Sequence, residues 1–247
     1  MKLGALGALA LAAGGGVYRY LHPAGPLQRF VLDGQASDEL LDTYQPERRP
    51  HVSDVIDLSM YLGKVICIAD PAKAAQRDEA FFSGKAPPPP AFPCLTDGIL
   101  RRRPDGAVQA PAGLLSPHGT VRSGDRQGRF DEVVGLGFVL VSRSAAVEAE
   151  LGEKQRAFLD ALDAKRVVIA AAGAEAGPGA WEDLDSKFIS YMEQHGIEAM
   201  LVRPDFYLYG AASTASDINQ LVDDLAGDLK RHGVTLSVQP EQEAASA

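Results

Sequence analysis

Pro87 to Pro90 are four consecutive prolines. Proline lacks a backbone N–H and its ring fixes φ, so such a run can enter neither a helix interior nor the middle of a strand ladder. It holds an extended, stiff conformation instead. Together with its flanks it makes 83–95 (SGKAPPPPAFPCL) a linker, and a domain boundary is expected there. Four segments follow: 1–29, 30–95, 96–236 and 237–247, the last expected to be a disordered tail.

The segment before the prolines has helical spacing. Ser37 suits an N-cap, with Asp38 and Glu39 in the first turn, where carboxylates complement the helix dipole. Leu40, Leu41 and Tyr44 are expected on one face. Pro46 is expected to open a second helix, since proline costs least in a first turn. Val55, Leu58, Leu62, Val65 and Ile66 follow its amphipathic spacing, and Pro50 must lie early in it or kink it. Asp70-Pro71 pairs a cap with a first-turn proline and predicts a third helix to about Phe82.

After the linker, 96–130 is rich in Gly, Pro and Arg, with one short strand expected near Gly119–Arg122. Arg101-Arg102-Arg103 precedes Pro104-Asp105-Gly106 and is expected to be a solvated turn rather than an anion site. From 131 strands and helices alternate. Strands are expected at Gly137–Ser142, Arg166–Ala171, Ala199–Val202 and Phe206–Tyr209; helices are expected at Leu151–Leu162, Asp183–Gln194 and from Ile218 onward. Trp181 is expected to staple the start of a helix, and Thr214–Asp217 has the form of a capping box. The alternation predicts an α/β fold.

Composition excludes some functions. The 247 residues carry a net charge of −9, which argues against binding to nucleic-acid phosphates. Cys67 and Cys94 form no CxxC and no metal-ligand spacing, so both are expected to be free thiols. His22, His51, His118, His195 and His232 are scattered and are expected at the surface or at helix ends rather than on zinc. Asp183, Asp185, Asp223, Asp224 and Asp228 are expected on solvated helix faces. Gly135-Leu136-Gly137 has the form GxG, but it leads into a strand and lacks the third glycine of a dinucleotide turn, and Gly14–Gly16 has no strand before it. There is no phosphate loop and no GxSxG nucleophile turn. Near the N-terminus, Lys2 precedes an apolar run, Leu3–Ala13, that fits either a weak secretory signal or an untargeted small-residue segment. The run is too short for a stable membrane span.

The stretch Leu40-Leu-Asp-Thr-Tyr-Gln-Pro-Glu-Arg-Arg-Pro-His51 resembles the LLDTYxxERRPH segment of class A flavoprotein monooxygenases. It is most similar to the 3-(3-hydroxyphenyl)propionate hydroxylase group and its phenol-hydroxylase relatives. Asp57–Gly63 and Asp70–Ala75 continue the resemblance, and Asp131–Phe138 and Leu201–Asp205 resemble two signposts of that family's C-terminal domain. The resemblance spans roughly 30–236 and leaves 1–29 unmatched.

The resemblance implies a thioredoxin-like domain over 96–236, without a redox CxxC, preceded by a helical remnant of the FAD/substrate domain. It implies FAD, NAD(P)H and a phenolic substrate for the intact enzyme, a cytoplasmic setting, and a homodimer contact through the thioredoxin-like domain. The motifs that hold flavin in the family have no counterpart here. No catalytic, cofactor-binding or metal-binding residue is therefore assigned, and this chain alone is expected to bind no FAD. Three readings stand: the C-terminal portion of an aromatic hydroxylase, inactive alone; a non-catalytic interaction module, on this reading exported; and, least supported, a peroxide-reducing thioredoxin relative using Cys94. The unmatched start fits either a reading frame entered partway or a shortened paralogue with a new leader.

Overall fold

In a computed structural model of the chain, residues 30–174, 177 and 179–236 are described. The apolar N-terminal run and the expected tail lie outside them. A 3-10 turn, Asp38–Thr43, leads directly into α1, Tyr44–Ile66. The second helix starts two residues before Pro46, which lies in its first turn as expected, and Pro50 lies early in the same helix. Leu40 is buried while Leu41 and Tyr44 are exposed, so the expected common face is divided. Helix α2, Pro71–Phe82, starts as its sequence implies, with the Asp70 carboxylate accepting from the Ala72 and Lys73 N–H groups.

Beyond the prolines lies a seven-stranded sheet in the order β2-β1-β5-β4-β3-β6-β7. Its strands are β1 Thr120–Ser123, β2 Arg126–Arg129, β3 Val139–Ser142, β4 Lys165–Ala171, β5 Trp181–Asp183, β6 Ala199–Val202 and β7 Leu208–Ala212. Strands β3, β4 and β5 run parallel, β6 runs antiparallel beside β3, and β7 runs antiparallel beside β6. The hairpin β1–β2 extends the β5 edge, giving two strands where one was expected. Trp181 lies in a strand, not at a helix start, and its ring carries the Arg126 guanidinium 5.2 Å from its centroid.

The strand residues alternate between two cores. On one face Leu140, Leu201 and Tyr209 meet Val147 of α4 (Ala145–Ala149), Leu159 of α5 (Glu153–Ala161), and Leu221, Val222 and Leu225 of α7 (Ile218–Arg231). On the other, Val139, Val141, Val167 and Ile169 meet Phe130 of α3 (Phe130–Val134) and Phe188 and Met192 of α6 (Lys187–His195). Leu40, Phe30 and Val31 pack into the first core. Gln35 O accepts from Thr235 N–H at 2.7 Å, and Ala36 bridges to Val234. The start of the helical segment is thus part of this packing.

Two local expectations fail where a polar side chain takes a different local partner. Asp183 ends β5 fully buried and accepts from the backbone N–H groups of Lys187, Phe188 and Ile189. Burial raises its pKa despite those three donors. Thr214 does not close a capping box; its hydroxyl meets that of Ser216 across a 3-10 turn, Ala215–Asp217. Replacing Asp183 by Ala orphans the first N–H groups of α6 and should lower unfolding free energy by about 2 kcal/mol, measured by urea denaturation.

Candidate functional site

Two separated motifs meet at one buried cluster. Glu47, Arg48 and His51 lie in the first two turns of α1. Arg203 and Asp205 lie in the turn between β6 and β7, where backbone bonds between Arg203 and Tyr207 and from Phe206 N–H to Arg203 O close the chain on itself. Phe206 takes φ of +68° there, which delays β7 to Leu208 rather than the expected Phe206.

Arg203 and Glu47 are each only 3% exposed. The guanidinium donates to both Glu47 oxygens, at 2.8 and 2.7 Å. It also donates to Ile99 O at 2.9 Å and to the two Asp205 oxygens at 3.1 and 2.8 Å. Arg48 pairs with Asp205, and Arg48 Nε lies 3.3 Å from Glu47. Two carboxylates thus meet two guanidinium groups, and the cluster is neutral. Burial pulls the Arg203 pKa down, but the bonds and charges of Glu47 and Asp205 outweigh it and raise it.

His51 is buried, against the expectation for the histidines, with its Nε2 2.8 Å from the Tyr207 hydroxyl and its ring edge-on to the tyrosine. The Arg48 guanidinium lies 5.4 Å from the Tyr207 ring centroid. Burial raises the Tyr207 pKa. A Cβ on Gly98, which holds φ of +91°, would fall 2.1 Å from Glu47 Oε2. Only glycine admits the carboxylate there.

Arg101 forms a second polar anchor. The sequence suggested a solvated turn, but its side chain is buried, donating to Asp224 at 2.8 Å and to Ala211 O at 2.6 Å. Asp228 accepts from the Tyr209 hydroxyl at 2.5 Å, so two aspartates expected in solvent face inward. Burial, then Asp228, raises the Tyr209 pKa.

None of these groups forms an acid–base pair open to a substrate. The cluster's geometry is that of a structural lock. The residues do not fit a flavin either. Gly135 ends α3 and Gly137 leads into β3, while the turn after β3 is Arg143-Ser144 before a five-residue helix. No glycine-rich strand-to-helix turn presents N–H groups to a pyrophosphate among the described residues. Cys67 is exposed and Cys94 half-buried, both free, and no metal-ligand cluster occurs among the described residues.

The strand order and the helices on both faces define a thioredoxin-like domain. Residues 113–228 match the HcaD C-terminal domain family. The chain is 29% identical over 199 residues to a probable NADH-specific resorcinol 4-hydroxylase of Rhodococcus jostii (strain RHA1), covering 79% of this chain and 36% of that protein. It is 31% identical over 211 residues to a 3-(3-hydroxy-phenyl)propionate/3-hydroxycinnamic acid hydroxylase of Mycolicibacterium gilvum (strain PYR-GCK), covering 77% of this chain and 37% of that protein. Among solved structures, the flavin-dependent monooxygenase PieE, in complex with FAD and substrate, superposes with a TM-score of 0.50 at 18% identity over 83% of this chain and 42% of its own. The chain matches a C-terminal part of the class A aromatic hydroxylases and spans little more than a third of the two curated relatives.

Sequence reasoning identified the ERRPH and RPD motifs but did not pair them. Their charge order was the available signal: Glu47-Arg48 is complementary to Arg203 and Asp205. Breaking a buried pair on one side strands a charge. Glu47→Ala or Arg203→Ala should therefore cost about 3–5 kcal/mol in thermal or urea unfolding. The double replacement Glu47→Leu/Arg203→Met should recover much of that loss.

Proposed function

We propose that this chain is the C-terminal portion of an FAD-dependent aromatic hydroxylase, in which the thioredoxin-like domain is a non-catalytic module held to α1 by the Glu47–Arg203 lock. The lock is the observation that carries the reading, because it joins the two motifs through which the chain resembles that family. In the intact enzyme FAD, NAD(P)H and a phenolic substrate would be handled outside these residues, and no residue of this chain is assigned a catalytic role. The setting that goes with this reading is cytoplasmic.

The purified chain should bind no FAD and should not accelerate NADH oxidation with phenolic acids. The check is incubation with excess FAD, desalting and a visible spectrum, alongside a 340 nm assay. A yellow protein with stoichiometric flavin would overturn the reading.

The division of the chain at 83–95 belongs to the same proposal, with 30–95 and 96–236 as its units. Limited proteolysis should cut first in that linker. Because Leu40, Glu47 and His51 are buried on the far side of the cut, the two pieces should still co-elute on a sizing column under native conditions. The Arg203→Ala variant should release them. Resistance of the linker to cleavage would count against the division.

A further inference from the structure

We draw no further inference here: the strongest candidate, the exposed apolar face of the distal part of α1 that carries Val52, Ile56, Met60, Leu62 and Ile66, carries nothing because no feature of the structure shows what covers it.

Discussion

The fold depends on one buried guanidinium. Arg203 sits in a turn between two antiparallel strands, where water cannot solvate it, and its charge must be met by the protein. Glu47 meets it from 156 positions away in sequence, and Asp205 from two. Both are needed, because a single carboxylate would leave other guanidinium N–H groups unpaired. The same cluster therefore sets the shape of the β6–β7 turn and the seat of α1 on the domain.

That seat has a consequence for the rest of the helix. α1 is continuous, so fixing its first two turns aims the remaining fifteen residues away from the sheet. The helix can be long despite Pro46 and Pro50 because Pro46 falls in the first turn, where no intrahelical N–H is required. The helix thus begins in buried contact with the β6–β7 turn and ends with its distal residues uncovered. The thioredoxin-like sheet has the layers of its class, and its buried polar contacts, those of Arg101, Asp183 and Arg203, are spent on holding the chain together.

Where the sequence misled about these polar residues, it did so in one direction. Asp183, Asp224, Asp228, His51 and Arg101 all looked like solvated or terminal groups, and all are buried or turned inward. Each is polar, and local patterning assigns polar residues to water by default. For two of them the partner lies far along the chain: Arg101 reaches Asp224 across 123 positions and His51 reaches Tyr207 across 156. No window of local sequence contains such a pair.

The sequence by itself determined the α/β alternation, the irregular run at Pro87–Pro90, the capped start at Asp70 and the resemblance to the aromatic hydroxylases, because periodicity, proline geometry and short motifs are local properties. It also showed both halves of the lock as motifs. Only the tertiary structure decided that the halves are one object, that Gly98 is the residue that admits Glu47, and that the distal face of α1 is left bare. Those outcomes rest on burial and on the pairing of distant charges, and both are set by how the whole chain packs rather than by any segment of it.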